Sequence, residues 1–245
     1  MSEKQNNPFN KLLINKSEIV DLVLISIQAE QELLLTYFNQ HCFNVWYENS
    51  SFRNILDNKF VSYLDGFGIC VTLKLLKKIK INRFNASEIN DTLFSEFAHK
   101  EIPLILIGGK FSKTLLNDNN LNIKLYINGY DGFRDLENLF NTISKSMLKI
   151  IIIGMGVPLQ EELAYKISQK ISGLQIICVG NFLEFYFGTK KRAPFFLRNS
   201  GFEWLFRLFT EPKRLWKRYI FGIPLFFYRI LRIYFHKNQT YEDVS

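Results

Sequence analysis

The sequence predicts an α/β protein with a Rossmann-like, mostly parallel sheet and helices on both faces. As far as residue 180, short continuously apolar segments alternate with segments of helical periodicity. Strands that are apolar at every position are typical of parallel sheets, because helical crossovers cover both faces. After Gly188 the pattern changes to basic and aromatic segments. We therefore expect a Rossmann-like domain over residues 1–187 and a C-terminal basic helical appendage over residues 188–245.

The predicted elements follow one another along the chain. The strands are 33–37, 60–63, 104–109, 122–127, 149–154 and 174–179. The helices are 43–56, 67–77, 133–147 and 158–171, because their apolar residues recur with the spacing of one helix face. Beyond residue 200 we expect two or three amphipathic helices, broken near Pro212 and Pro224, since proline interrupts helical hydrogen bonding.

Polar residues and glycines follow several predicted strands. Parallel sheets bind ligands at the carboxyl ends of their strands, where glycine lets a backbone approach a phosphate or a base. A carboxylate such as Asp65 can accept a proton from an attacking hydroxyl there, although Asp-Gly is also common in turns and helix caps. The strand-end residues are Asn39, Asp65, Gly66, Gly108, Gly109, Gly129, Gly154 and Gly156.

The net charge of +8 is unevenly distributed. Residues 1–187 are neutral overall, whereas residues 188–237 hold 12 Lys and Arg, two acids and 14 aromatic residues. Such a segment suits an anionic membrane surface, and it also suits nucleic acid. No run of about 18 uncharged apolar residues predicts a spanning helix, and no secretory signal opens the chain.

Motifs for cofactors or metals are weak. The three cysteines lie far apart, the histidines have no metal spacing, and no Asp-x-Asp occurs, so we predict no cofactor and no metal site. The run Gly154–Glu161 lacks the third glycine of a dinucleotide-binding loop. Its Gln160-Glu161 pair, at a strand-to-helix turn, suits contact with a sugar or base.

Three motifs resemble the WecG/TagA/CpsF glycosyltransferases, family 26. The longest runs through Lys-Arg-Ala-Pro194, Gly-Phe-Glu-Trp-Leu-Phe-Arg207 and Glu-Pro-Lys-Arg214 to Tyr219. Tyr-Leu-Asp-Gly66 resembles the family's Pro-Asp-Gly block, and Gly154–Glu161 resembles its Gly-x-Gly-x-Pro-x-Gln-Glu block. The resemblance covers roughly residues 30–235.

The resemblance implies an inverting, metal-independent transfer from a UDP-sugar to an undecaprenyl-diphosphate-linked sugar in cell-surface polysaccharide synthesis. The transferred sugar would be N-acetylmannosamine-like, a hexuronic acid or a hexose. Asp65 matches the proposed general base, and Asn39, Arg83 and Gln160 match residues of the catalytic pocket. Other positions are expected to contact substrate: Tyr37, Gly66, Gly108, Gly109, Gly129, Tyr130, Gly154, Gly156, Glu184, Arg207, Arg214 and Arg218.

Departures from the family pattern concern the donor pocket. Tyr37 replaces a common threonine, Leu64 replaces the proline before Asp65, and Leu183-Glu184 replaces Phe-Asp. The expected partners are the UDP-sugar, the lipid-linked acceptor and an anionic membrane, with attachment at the inner face of the cell membrane and homo-oligomer formation left open. The alternatives are a nucleic-acid-binding module, disfavoured by the apolar run 220–228, and an inactive scaffold of the same fold.

Overall fold

A parallel sheet forms the centre of the protein. The computed structural model describes residues 8–77, 81, 84–200 and 203–242. Within them, six parallel strands lie in the order β2-β1-β6-β5-β3-β4. They are β1 Leu33–Phe38, β2 Val61–Leu64, β3 Leu104–Gly108, β4 Ile123–Asn128, β5 Ile150–Gly154 and β6 Gln175–Cys178. The predicted α/β class and all six predicted strands are confirmed.

Helices connect the strands and form the C-terminal part. Those before β5 are α1 Lys16–Gln28, α2 Gln40–Glu48, α3 Ser50–Lys59, α4 Phe67–Lys77, α5 Ala86–His99, α6 Lys113–Asn117, α7 Gly129–Arg134 and α8 Leu136–Ser146. Those after β5 are α9 Leu159–Ser168, α10 Phe182–Tyr186, α11 Phe195–Ser200, α12 Glu203–Thr210, α13 Pro212–Trp216 and α14 Gly222–Glu242. A 3₁₀ turn covers Pro8–Asn10 and a π-helical segment covers Lys217–Phe221.

The two faces of the sheet carry separate apolar cores. Alternate strand residues point to opposite faces. Leu33 and Leu35 belong to a core shared with α1, α2, α4 and α5, while Leu34 belongs to a second core shared with α8 and α9. Helices therefore cover both faces, as the apolar strands predict.

Two parts of the helix prediction are wrong. The predicted helix 43–56 is two helices, because Asn49 ends α2 and its side chain accepts a hydrogen bond from Phe52 N at the start of α3. Helices α1 and α5 are also missing from the prediction. Their starts are marked by Asn15 and Asn85, whose side chains cap the first turns.

The helical segment 203–242 is interrupted once, near Pro212, and not a second time near Pro224. Helix α12 ends at Thr210 and α13 begins at Pro212, as predicted. The predicted break near Pro224 is wrong, since the π-helical segment leads directly into α14. The Gly222 N–H bonds to Lys217 O, and this wider spacing accommodates a proline that cannot donate to the preceding turn.

Helix α14 packs on α2. The Phe226 ring meets Phe43 edge-to-face at 5.1 Å, and Arg229 donates to Asn44 Oδ1 over 3.0 Å. Asn44 Nδ2 in turn donates to Gly222 O over 2.7 Å. The domain boundary between residues 187 and 188 stays a prediction. No helix in the described ranges is both long and apolar enough to cross a bilayer.

Candidate active site

A cleft of about 360 Å³ opens at the carboxyl ends of four strands. Its walls come from the loops after β1, β2, β5 and β6, from the start of α5, and from residues 203–223 of the C-terminal helices. In open α/β sheets ligands bind beyond the carboxyl ends of the strands, and the cleft lies at that edge of this sheet. The strand-end prediction therefore points to the correct edge of the sheet.

Asp65 and Asn39 meet in this cleft. Strands β1 and β2 are neighbours with Phe38 opposite Leu64, so the residues that follow them come side by side. Asp65 Oδ2 accepts a hydrogen bond from Asn39 Nδ2 over 3.0 Å. Asp65 Oδ1 accepts a second one from Ala86 N over 2.9 Å. The carboxylate is thereby fixed in orientation while it lines the cleft.

Asn39 also starts helix α2. Its Oδ1 accepts hydrogen bonds from His41 N and Cys42 N, each over 3.1 Å. One amide group therefore caps a helix with its oxygen and orients Asp65 with its nitrogen. Gly66, which follows Asp65, has a φ of +83°, a backbone conformation that glycine adopts without strain.

Gln160 lies behind the cleft wall rather than in it. It is fully buried, and its Oε1 accepts hydrogen bonds from Gly156 N over 3.2 Å and from Gly180 N over 2.9 Å. These bonds tie the loop after β5 to the loop after β6. Gln160 is therefore placed as a positioning residue for both loops.

Glu161 forms a buried polar group beside Gln160. Its Oε1 accepts from Thr36 Oγ1 over 2.6 Å and from Gln160 Nε2 over 2.7 Å. Burial raises the pKa of this carboxyl to about 7. Glu161 therefore changes charge near neutral pH, and it is bonded to Gln160, the residue that ties the two cleft loops together.

The strand-end glycines divide into two groups. Gly156 lines the cleft, and a side chain at this position would have open space around it. Gly108, Gly109, Gly129 and Gly154 do not line it. At Gly154 a Cβ would lie 2.5 Å from Leu183 Cδ1, and at Gly129 it would lie 2.5 Å from Met155 Sδ. These two glycines permit close packing behind the cleft.

Tyr37 and His41 line the wall next to Asn39. Burial raises the pKa of the Tyr37 hydroxyl well above its usual value, so this group stays protonated. Burial, together with the nearby Arg218 charge, lowers the pKa of His41 to about 3. The imidazole is therefore neutral at physiological pH.

Three arginines of the C-terminal helices line the same cleft, namely Arg207, Arg214 and Arg218. The Arg207 guanidinium lies over the Phe185 ring, 5.6 Å from its centroid. Arg214 Nε is 2.7 Å from Glu211 Oε2. Burial lowers the pKa of Arg218, yet a guanidinium stays protonated at any ordinary pH. These groups place positive charge in the cleft that contains Asp65.

Three further predicted site residues lie elsewhere. Tyr130 is about half exposed on α7, and it is not among the cleft-lining residues. Glu184 Oε2 lies 2.5 Å from Lys190 Nζ, which also contacts Glu211. Glu184 itself does not line the cleft, but it belongs to an ion-pair network that includes the cleft residue Arg214. Arg83 lies outside the described residues.

Several cleft residues were not predicted as site residues. Polar ones come from the start of α5 and from the loop after β6, and aromatic ones come from α10 and α12. They include Gln40, Asn90, Asn181, Phe185, Glu203, Trp204 and Tyr219, the last from the π-helical segment. Asn181 follows β6 much as Asn39 follows β1, so the strand-end argument could have found it. The α5 residues could not be found that way, because they lie on a helix that does not directly follow a strand.

The arrangement combines a fixed carboxylate with fixed cations. A carboxylate can remove a proton from a hydroxyl, and guanidinium groups can pair with a diphosphate. No group of three or more His, Cys, Asp or Glu side chains within the described ranges is placed to hold a metal ion. A metal-independent reaction stays a prediction.

A sequence model of one protein family, described as the glycosyl transferase WecG/TagA/CpsF family, matches residues 7–240. This match covers nearly the whole chain of 245 residues. The chain belongs to the WecG/TagA/CpsF glycosyltransferase family. It is therefore a glycosyltransferase of polysaccharide biosynthesis, and a sugar donor and a sugar acceptor are its expected substrates. Residues from each of the three sequence motifs line the cleft of this glycosyltransferase.

Proposed function

We propose that this glycosyltransferase moves a sugar from a UDP-sugar to an undecaprenyl-diphosphate-linked sugar, with inversion and without a metal ion. One observation carries the proposal. Asp65, held by Asn39 and by the Ala86 N–H, shares a cleft with three arginines. A base and a cationic site for a leaving diphosphate are the two groups that such a transfer requires.

The chemistry follows from these two groups. The acceptor hydroxyl gives its proton to the Asp65 carboxylate as its oxygen attacks the anomeric carbon. The bond from that carbon to the diphosphate oxygen breaks, and UDP leaves with the electron pair. Attack on the face opposite the leaving group inverts the anomeric centre. Arg207, Arg214 and Arg218 would stabilise the charge that develops on the diphosphate.

A second surface of the protein supports the proposal that the acceptor is linked to a lipid. Helices α13 and α14 and the π-helical segment expose large apolar and basic side chains on the side facing away from α2. We name this surface the aromatic–basic face, and it consists of Trp216, Lys217, Ile220, Phe221, Leu225, Tyr228, Leu231, Arg232 and Phe235. Their spacing of three or four residues puts them on one side of the helices.

The composition of the aromatic–basic face suits an anionic membrane surface. Each Lys or Arg near such a surface contributes about 1 kcal/mol, and aromatic side chains enter the headgroup region. Arg214 on α13 and Arg218 on the π-helical segment line the cleft, and so does Arg207 on α12, the helix before them. One segment would thus hold the protein on the inner face of the cell membrane and complete the site beside the lipid-linked acceptor.

A substrate screen tests the proposal. UDP-hexoses, UDP-N-acetylhexosamines and UDP-hexuronic acids are each offered with an undecaprenyl-diphosphate-linked N-acetylglucosamine, and products are read by mass spectrometry with and without a chelator. The expected result is transfer of one sugar class, with a changed anomeric configuration and an unchanged rate in chelator. Transfer that requires magnesium or manganese, or retention of configuration, would contradict this mechanism.

A further inference from the structure

Asn90 is a buried asparagine to which the proposed mechanism assigns no role. It lies on α5, its exposed fraction is 1%, and it lines the cleft. Neither Nδ2 nor Oδ1 has a hydrogen-bond partner within the described part of the chain. A buried amide left without partners is unfavourable, so natural proteins keep such groups where something pairs with them.

The position of Asn90 along α5 brings it near Asp65. Ala86, whose N–H donates to Asp65 Oδ1, is one helical turn before Asn90 and lies on the same side of the helix. One turn is about 5.4 Å along the axis. A ligand that reaches the Asn90 amide is therefore also near the carboxylate at the reacting centre.

A second carboxamide, whose nitrogen is unpaired among the described residues, lines the same cleft. Phe94, one turn after Asn90, contacts Phe182 edge-to-face at 5.0 Å. Asn181, directly before Phe182, also lines the cleft, and its Nδ2 is buried without a partner among the described residues. The junction of α5 and α10 thus brings two carboxamides to one part of the cleft.

We propose that Asn90, assisted by Asn181, binds two neighbouring hydroxyl groups of a sugar ring and so determines which sugar the enzyme accepts. This inference rests on the proposed function. One ring hydroxyl accepts a hydrogen bond from Asn90 Nδ2, and the adjacent hydroxyl donates one to Oδ1. Asn181 Nδ2 donates to a further ring oxygen.

The chemistry of the two amides favours a sugar ring over a phosphate. A carboxamide offers a donor and an acceptor side by side, which matches a vicinal diol. A phosphate offers acceptors alone, so the Asn90 oxygen would stay unpaired, and the cleft provides arginines for phosphate elsewhere. The ring could belong to the donor sugar or to the acceptor sugar, since both meet at Asp65.

The test uses Asn90→Leu, a substitution of similar size that removes both polar atoms. Because the amide has no partner among the described residues, the urea midpoint of unfolding is expected to stay the same or rise. The KM for one substrate is expected to rise about 10–100-fold, as befits a lost pair of hydrogen bonds. The substrate whose KM rises, donor or acceptor, identifies the sugar that Asn90 binds.

Matched controls separate binding from folding. Asn44 is a buried asparagine with both amide atoms paired, so Asn44→Leu is expected to lower the urea midpoint. Sugars that lack one ring hydroxyl should react poorly with the unaltered enzyme, and this penalty should disappear in Asn90→Leu. An unchanged KM for both substrates would overturn the role of Asn90, and so would a fall in midpoint like that of Asn44→Leu. Absence of transfer by the unaltered enzyme would instead overturn the proposed function together with this inference.

Discussion

Asn39 and Asp65 are joined by a hydrogen bond of 3.0 Å from Nδ2 to Oδ2. Each follows one of two adjacent parallel strands, so the pairing of β1 with β2 creates this contact. The Asn39 oxygen is meanwhile occupied by two N–H groups of α2. The orientation of the carboxylate therefore depends on a residue that also stabilises a helix.

The two roles of Asn39 can be separated by Asn39→Ser. Serine caps a helix about as well as asparagine, but its short side chain cannot reach Asp65. We expect kcat to fall about 10-fold or more, with little change in the unfolding temperature. Asn39→Ala should lose both roles and lower the unfolding temperature as well. Equal activity of the serine variant and the unaltered enzyme would show that Asp65 needs no orientation by Asn39.

Asp65→Asn removes the proposed base while preserving size and shape. General-base catalysis contributes about 10²–10⁴-fold, so we expect turnover to fall by that factor, with the far-ultraviolet circular dichroism unchanged. Asp21, exposed on α1 and distant from the lining residues in sequence and fold, provides the matched control Asp21→Asn. Near-normal turnover of Asp65→Asn would remove Asp65 from the mechanism.

Arg218→Lys tests whether the cleft cations hold the diphosphate. Lysine keeps the charge but loses the two parallel N–H donors that pair with phosphate oxygens. We expect weaker inhibition by UDP and a kcat lower by about 10-fold, measured by steady-state kinetics. Arg134, exposed on α7 and away from the cleft, gives the control Arg134→Lys. UDP inhibition that stays unchanged in Arg218→Lys would argue against a diphosphate at this guanidinium.

The buried Glu161 makes stability depend on pH. Its pKa of about 7 in the folded protein lies above the ordinary value of 4.5, so folding favours the protonated form. The resulting stability is fully present below about pH 4.5 and is lost as pH rises through 7, on the order of 3 kcal/mol at most. Urea midpoints measured from pH 5 to pH 8 should fall in the unaltered protein. Glu161→Gln should flatten this fall, and parallel curves for the two proteins would contradict the assignment.

The aromatic–basic face can be tested by vesicle flotation. The triple variant Phe221→Ser, Tyr228→Ser, Leu231→Ser should lose binding to anionic vesicles, and Lys217→Gln with Arg232→Gln should make binding weaker and less salt-dependent. Serine substitutions of Ile25, Leu75 and Met147, which are exposed on other elements, provide the control and should leave flotation intact. Flotation of the triple variant at the normal level would place membrane contact elsewhere.

The sheet was predictable because two of its inner strands, β3 and β5, are apolar throughout and the others are largely apolar. Ile150–Ile153 could pack only between two helical layers, and so could Leu104–Ile107. The strand-end rule then located Asn39 and Asp65 in the cleft. The same rule also selected Gly129 and Gly154, which do not line the cleft. At these two positions the absence of a side chain allows close packing against Met155 and Leu183. A glycine that meets a ligand and a glycine that meets a side chain look alike in a sequence.

The rest of the site depends on long-range packing. Helix α5 begins at Ala86, after its cap Asn85, and its apolar residues Ile89, Leu93, Phe94 and Phe97 lie at helical spacing. The sequence does not show that Asn90, on the same side of this helix, lines a cleft. Asn90 enters the cleft because Phe94 packs on Phe182, a contact between elements almost 90 residues apart in the chain. Arg229 is likewise buried, and it donates hydrogen bonds to Asn44 and Glu48. The apolar residues around Arg229 in the sequence do not identify these partners.

The two walls of the cleft are synthesised at different times. Its carboxylate and all six strands are translated by residue 178, whereas the guanidinium groups of its other wall begin at residue 207. Chains generally fold from the N-terminus as they emerge from the ribosome. A nascent chain can therefore complete its sheet while the cleft still lacks its cations. Only the final fifth of the polypeptide, anchored by Phe226 on Phe43, adds the second wall of the cleft to the finished sheet.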